Sequence, residues 1–473
     1  MPVLRESPAE FDADVPVLVV GGGACGMTAA LAAADGGAEV MVLEQDDRPH
    51  GSTGMSQGYV CAAGSRIQRE AGIEDDPDLL VADILAKTRG QTDEDFARIV
   101  AHASAPTVDW LAERHAIPFD INPGWAVFGH SRPRLHGMPG RTGIELVDAL
   151  GRAAEEAGIL VSTGARVVDL YAGEDGRVRG VAIERPNGLR ETIGCGALIL
   201  ATCGFGASRA MVARHIPHMA AAPYFGHEGN RGDGIAWGEA LGGAVADMGA
   251  YQGYGALTDP YGIIMNYDVM LEGGFAVNRD GRRFSHELED VSGQAEKVIA
   301  QPDSVAWVVY DEERHRRASS LPEYKDLLRL GAVRSAPTIA GLAAAIRVPE
   351  GALAETFAGV EALGRSGEPD AFGRRFEAGE RLSAPYHAVK VKGALFHTQG
   401  GLVVDGDAQV RRPDGSRLPN LFAGGGAARS VSGPGVWGYL PAMGLGTAVT
   451  LGRLAGEAAA RLVADPASRR IAA

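Results

Sequence analysis

The chain is poor in several things, and each shortage removes a class of protein. Four cysteines in 473 residues (Cys25, Cys61, Cys195 and Cys203) form no CxxC pair and no disulfide framework, which fits a reducing cytoplasm. No stretch has the roughly 18 consecutive apolar residues of a membrane span. The opening Met1 to Pro16 mixes charges, lacks an apolar signal core and twin arginines, and reads as a short disordered leader ending near Asp14. Basic residues are in the minority. With 45 Lys and Arg against 60 Asp and Glu, the net charge is −15 and carries no acidic block, which disfavours nucleic acid and anionic membranes as partners. The 12 histidines contain no HExxH and no ligand cluster, so no metal is expected. Proline stands at 25 and no Gly-X-Y period exists, which excludes a collagen.

Glycine is what the chain has in excess: 66 residues, about 14% and roughly twice the usual share. With 45% of residues hydrophobic, these glycines sit inside apolar segments and not in a flexible linker. They mark places where backbone turns sharply or meets a ligand closely.

Val15 to Val20 reads as a buried strand, Met27 to Ala34 as an Ala-rich helix stopped by Gly36-Gly37, and Glu39 to Glu44 as a second strand. Helical patterns recur at Pro77–Thr88, Asp93–Arg114 and Gly143–Ala157. A strand region at Val161–Leu170, which contains Val167, precedes a hairpin over Val178–Thr192 and a strand at Ala197–Ala201. From about Gly249 to Phe396 the pattern changes to mixed short strands and helices. A helix over Gly444–Leu462 follows a last stretch of strands and glycines. The expected plan is an α/β Rossmann-type nucleotide-binding domain (1–248 and 397–473) interrupted by an inserted α+β capping domain (249–396).

Gly21-x-Gly23-x-x-Gly26 lies between a strand and a helix, with Glu44 about 20 residues on. Gly21 makes the turn, Gly23 lets the backbone approach a pyrophosphate, and Gly26 lets the helix pack on the strand. Glu44 is placed to bind ribose hydroxyls, and the helix N-terminus to bind phosphate. The run Gly51-Ser52-Thr53-Gly54-Met55-Ser56-Gln57-Gly58 can supply hydrogen bonds to a ribityl chain and a flavin ring. Ala201-Thr202-Cys203-Gly204 and Gly232-Asp233-Gly234 are two further tight turns.

These segments resemble a known flavoprotein family, that of fumarate reductase, succinate dehydrogenase, urocanate reductase and 3-ketosteroid dehydrogenase. The matching stretches are VVGGGACG, GSTGMSQG, ILATCG, GDGIAWGEALGGAVADM, NRDGRRFSHE, HTQGGLVVD, LFAGGG and GLGTAVTLGRLAG, in the family's order from about residue 15 to residue 457. The resemblance implies FAD, held by Gly21, Gly23, Cys25, Gly26, Glu44, Gln45, Gly51, Ser52, Thr53, Ser56, Gln57, Gly58, Val167, Ala201, Thr202, Gly204, Asp233, Gly425, Gly444 and Leu445. It puts Ser52 where some relatives carry the histidine that binds FAD covalently, with His50 two positions away, so non-covalent FAD is expected.

The resemblance also implies chemistry. A hydride moves between flavin N5 and a carbon next to an activating carbonyl or carboxylate of a small-molecule substrate, a protein group handles the neighbouring proton, and the cap closes a dry cleft. Arg283 matches the family's proton donor, or else pairs with Glu287 and anchors the cap. His397 matches a histidine that hydrogen-bonds the substrate carboxylate or carbonyl. Met443 falls near the arginine that clamps a second carboxylate, and Tyr254 replaces a substrate histidine. Losing a bidentate cation forfeits charge-assisted binding, so the expected substrate is moderately apolar and fumarate a poor fit. Tyr439 lies near a tyrosine that binds the ketone oxygen in ketosteroid dehydrogenases. Packing is the alternative for both tyrosines. Gly444-Leu445-Gly446 should point N–H groups at the flavin C2 carbonyl.

The expected activity is therefore formation or reduction of a C=C bond conjugated to a carbonyl, with an unidentified electron donor or acceptor. Two alternatives remain. One is an electron-transfer flavoprotein subunit, against which stand the lack of a CxxCH motif and of the long helical C-terminal domain of succinate dehydrogenase. The other is an amine or amino-acid oxidase resembling L-aspartate oxidase, which should retain an anion clamp.

Overall fold

The computed structural model describes residues 3–377 and 381–465. The first two residues of the expected leader and the last eight of the expected second FAD-binding segment lie outside that range. The chain forms two compact units. One comprises Met1–Ile216, Gly226–Tyr251 and His397–Ala473, the other Pro217–Phe225 and Gln252–Phe396. Pro217–Phe225, which the sequence reading left in the first domain, goes with the second unit.

The first unit is built on a nine-stranded sheet. Strand Ala13–Val20 has a row of β-branched and leucine side chains buried on both faces and pairs in parallel with Val40–Leu43 on one side and Arg190–Leu200 on the other. Continuous burial of that kind is the mark of a central parallel strand. Strand Arg417–Ala423 joins in parallel at Leu198–Leu200, so the carboxyl ends of four sequence-distant strands lie side by side. Helix Ala24–Asp35 follows the first of them, and ten of its twelve residues are buried. It packs against the long helix Met443–Ala464, where a Cβ at Gly452 would lie 2.4 Å from the Cys25 carbonyl oxygen and one at Gly456 2.1 Å from that of Ala29. Only glycine permits that approach.

Two expectations need correction. Val161–Leu170 is not one strand. Leu160–Ser162 pairs with Val40–Leu43 at one edge of the sheet and Arg166–Ala172 lies toward the other, separated by Gly164 at φ +59°. The leader is also ordered as described: Val3–Leu4 pairs in parallel with Leu170–Tyr171, and the Phe11 ring meets Tyr171 edge-on at 5.9 Å. Low local hydrophobicity hid a strand whose stability comes from the sheet it joins.

The second unit is α+β. Strands Phe275–Val277, Val305–Asp311 and Val333–Ala336 and much of Tyr386–Thr398 form an antiparallel sheet with Tyr251–Thr258. Helices Pro322–Arg329, Ile339–Ile346 and Glu350–Ser366 cover it, burying Tyr324 and Leu327 in one apolar cluster and Leu342, Leu353 and Phe357 in another.

Candidate flavin and substrate site

The glycine turn is closed by the neighbouring strand end. Gly21 has φ +108°, and a Cβ there would lie 2.3 Å from the Ala201 carbonyl oxygen. A Cβ at Gly26 would lie 1.8 Å from the Gly21 carbonyl oxygen, so the helix is held against the turn at backbone contact. The N-terminus of this helix carries no capping side chain and no acidic residue in its first turn, which leaves its positive end free for an anion. Thr53 Oγ1 accepts from the Ala24 N–H at 3.0 Å, which fastens the second segment to the helix start.

Glu44 is 7% exposed, and its carboxylate accepts from the Gly22 N–H at 2.8 Å and the Asp46 N–H at 3.0 Å. Burial pushes its pKa up, against the pull of those bonds. Gln45 follows it in the chain, and Val167 lies on strand Arg166–Ala172, buried and paired with Ile183. The second segment folds as a one-turn helix, Gly51–Gly54. Ser52 Oγ accepts from Asn230 Nδ2 at 2.7 Å and lies 3.6 Å from Cys203 Sγ. Ser56 Oγ donates to the Thr53 carbonyl and accepts from the Gly58 N–H, and its carbonyl takes the Gly143 N–H. Gln57 is exposed. His50, the other side chain considered for a flavin link, is engaged with Asp148 at 3.2 Å.

Around the strand ends, Thr202 Oγ1 is buried with no hydrogen-bond partner. Gly204 lies against Thr398, whose Oγ1 takes the Phe205 N–H at 3.0 Å. Asp233 begins helix Asp233–Ala240 after Gly232 at φ +79°, and burial pushes its pKa up. Gly425 lies over Cys25. The long helix starts at Met443 after Ala442 in the left-handed region, again without a capping side chain or a first-turn acid; Gly444 and Leu445 are half-buried in its first turn. An orphan hydroxyl, two uncapped helix N-termini and a buried carboxylate at the strand end together fit FAD; the first N-terminus would suit its phosphates and the second an electron-rich carbonyl.

His397 adjoins that second N-terminus. A Cβ at Gly444 would lie 3.4 Å from its Cε1 and 3.5 Å from its Nε2. The Tyr439 ring meets it edge-on at 5.7 Å. Burial lowers the His397 pKa to about 4 and raises that of Tyr439 to about 12, so both are neutral near pH 7. Met443, the first residue of that helix, is buried.

The other two residues expected on the substrate side lie in the second unit with their donors engaged. Arg283 Nε and Nη2 bind Glu287 at 3.0 and 2.7 Å, Nη2 also reaches the Ser285 carbonyl, and Nη1 pairs with Asp370. Its guanidinium lies 4.8 Å from the centre of the Phe376 ring. Burial disfavours the charge, but Glu287 and Asp370 outweigh it and hold the pKa above the ordinary arginine value. Each of the three nitrogens thus has a partner within the second unit, the contacts expected of the clamp, and the proton is held more tightly than in free arginine. Tyr254 donates to the Met265 carbonyl at 2.9 Å, stacks on Phe396 at 4.9 Å, and burial pushes its pKa far up. Its contacts are those of a packing residue. Sequence reasoning overlooked Asp370, Gln399 and Asn230, and also Arg374, whose Nη1 binds Glu287 at 2.8 Å. Gln399 stands in the HTQGG stretch without a role of its own, and each of the four matters through a side-chain geometry that only folding creates.

The sequence matches the FAD binding domain family over residues 16–444. The chain belongs to this family. Among its relatives, the probable fumarate reductase Ifc3 of Shewanella frigidimarina (strain NCIMB 400) is 30% identical over 451 residues, 95% of this chain and 75% of that protein. The open form of a flavocytochrome c3 fumarate reductase superposes with a TM-score of 0.84 at 28% identity, covering 97% of this chain and 80% of the other. The 3-ketosteroid-Δ4-(5α)-dehydrogenase of Rhodococcus jostii RHA1, solved with 4-androstene-3,17-dione, gives 0.78 at 25% identity over 97% and 99% of the two chains. This flavoprotein is an FAD-dependent oxidoreductase acting on C=C bonds next to a carbonyl. Among the described residues no helix is long and apolar enough to cross a membrane.

Proposed function

We propose that the substrate is a moderately apolar ketone or enone whose activating group is a neutral carbonyl, and that the dicarboxylates are not substrates. One observation carries this reading: the rings found at the N-terminus of helix Met443–Ala464 are neutral, His397 against Gly444, Tyr439 edge-on to it and His130 with Nε2 2.9 Å from the Pro441 carbonyl, and the first helical residue, Met443, is buried. A neutral imidazole and a phenol polarise a carbonyl by hydrogen bonding, whereas two carboxylates call for cations. FAD, when bound, supplies the two-electron hydride chemistry. His397 holds the carbonyl oxygen, and the neutral Tyr439 phenol, edge-on to its ring, is the proton-bearing group that assists it. Arg283 and Tyr254 hold the second unit's interior together. FAD is bound without a covalent link, as the engagement of Ser52 with Asn230 and of His50 with Asp148 supports.

Anaerobic holoenzyme tests both directions. The oxidised enzyme is mixed with cyclohexanone or succinate, and the dithionite-reduced enzyme with cyclohex-2-en-1-one, 4-androstene-3,17-dione or fumarate. The neutral ketone is expected to bleach the flavin or the neutral enones to reoxidise it, with no change from the dicarboxylates. Faster reaction with fumarate or succinate would overturn the reading. Acid precipitation should leave all FAD in the supernatant, and yellow colour in the pellet would contradict non-covalent binding.

A further inference from the structure

His397 has two ring nitrogens, and a neutral imidazole carries a proton on only one of them. Its Nδ1 faces the Gln399 amide, with Gln399 Nε2 3.0 Å away. The other end of that amide is occupied, since Ser432 Oγ donates to Gln399 Oε1 at 3.0 Å. Gln399 and Ser432 are 3% and 2% exposed, so bulk solvent does not compete for these bonds. The Gln399 backbone is fixed at both ends, its N–H donating to the Ala250 carbonyl at 2.9 Å and its carbonyl accepting from the Ser430 N–H at 2.7 Å.

We propose that Gln399, oriented by Ser432, is a positioning residue that holds His397 in its Nε2–H tautomer, so that the ring offers a donor on its Nε2 side to the substrate carbonyl. As the amide is placed, its oxygen meets the Ser432 hydroxyl and its NH2 faces Nδ1. In that arrangement Ser432 donates to the amide oxygen, Nδ1 accepts, and the ring proton is left on Nε2. Nε2 is the nitrogen on the side of the long helix's first turn, near Gly444. The same arrangement opposes imidazolium, because a proton on Nδ1 would face the amide hydrogens. Burial also opposes the charge and lowers the pKa to about 4, against a backbone hydrogen bond at Thr398 that favours the protonated ring. The role rests on the reading of His397 as the group that holds the carbonyl.

Long-range nitrogen–proton NMR of holoenzyme labelled with 15N-histidine reads the tautomer directly, with the His397 signals assigned by their loss in His397→Asn. A pyridine-type Nδ1 and a pyrrole-type Nε2 are expected in the wild type. Gln399→Glu puts an acceptor opposite Nδ1 and should draw a proton there. The acid limb of the pH profile for flavin reoxidation by cyclohex-2-en-1-one should then rise by about one pH unit or more. Gln399→Leu, which keeps the volume and loses the donor, should give a mixed tautomer signature and slower reoxidation. A wild-type Nδ1 that carries the proton would overturn the proposal, as would a Gln399→Glu enzyme with wild-type nitrogen shifts and pH profile. Should Gln399→Glu fail to fold, the wild-type and Gln399→Leu spectra decide. Full turnover by His397→Asn would sink the carbonyl contact alone, and the NMR would still decide the tautomer.

Discussion

Replacing Arg283 by lysine separates a clamp from a proton donor. Lysine cannot reproduce the bidentate grip on Glu287 or the bond to Asp370, and it leaves two carboxylates short of a buried partner. Breaking a buried pair of this kind costs about 3–5 kcal/mol. Arg283→Lys should therefore lower the thermal midpoint sharply, while the folded fraction at low temperature reduces an enone at a rate within a few-fold of wild type. Loss of turnover in a fully folded variant would return Arg283 to the reaction. The residue scale is also where sequence was least informative. Arg283 and Glu287 are four apart and suggest each other, but Asp370 is distant in the chain and nothing around it signals a partner. Gln399 reads as one polar residue in a glycine motif until its amide is seen between Ser432 and His397.

At the scale of elements, the flavin-binding loops were legible because their requirements are local. A left-handed φ or a backbone contact at Gly21 and Gly26 demands glycine whatever the rest of the chain does. The split of Val161–Leu170 was not legible, because periodicity reports burial and does not say which edge of the sheet a strand joins. The contact between helices Ala24–Asp35 and Met443–Ala464 offers a test. Gly452→Ala places a methyl group 2.4 Å from the Cys25 carbonyl oxygen, so the helices must separate. Overpacking of this kind costs about 1–3 kcal/mol. The variant should melt earlier and purify with less than one FAD per chain, whereas Gly351→Ala, where a Cβ meets nothing within 4 Å, should change neither.

At the scale of the whole molecule, pH enters through buried histidines. Burial holds His130, His136 and His397 at pKa values of about 4, against 6.5 for the free side chain. A group whose folded pKa is depressed gives its full stabilisation above the unfolded value and loses it as pH falls toward the folded one. Stability should therefore be flat above pH 6.5 on this account and fall between 6.5 and 4. The steepest slope from three such groups is roughly 4 kcal/mol per pH unit. Urea titrations at pH 7, 6, 5 and 4 check this, and a flat stability from 7 to 5 would contradict it. The α/β plan with an inserted α+β segment was readable from the sequence because the alternation of strand, glycine turn and helix survives in the pattern. The order in the opening residues was not, because Val3–Leu4 is a strand only in the company of Leu170–Tyr171.

The glycine-mediated contact between helices Ala24–Asp35 and Met443–Ala464 joins segments near opposite ends of the described chain. During synthesis the dinucleotide turn therefore emerges long before the helix that backs it. Cofactor capture on the ribosome is accordingly disfavoured, and a nascent chain stalled before residue 443 should retain no flavin even at saturating FAD. Loading belongs to chains whose 443–464 helix is already in place, and cellular FAD supply would act on that pool and not on the rate of translation.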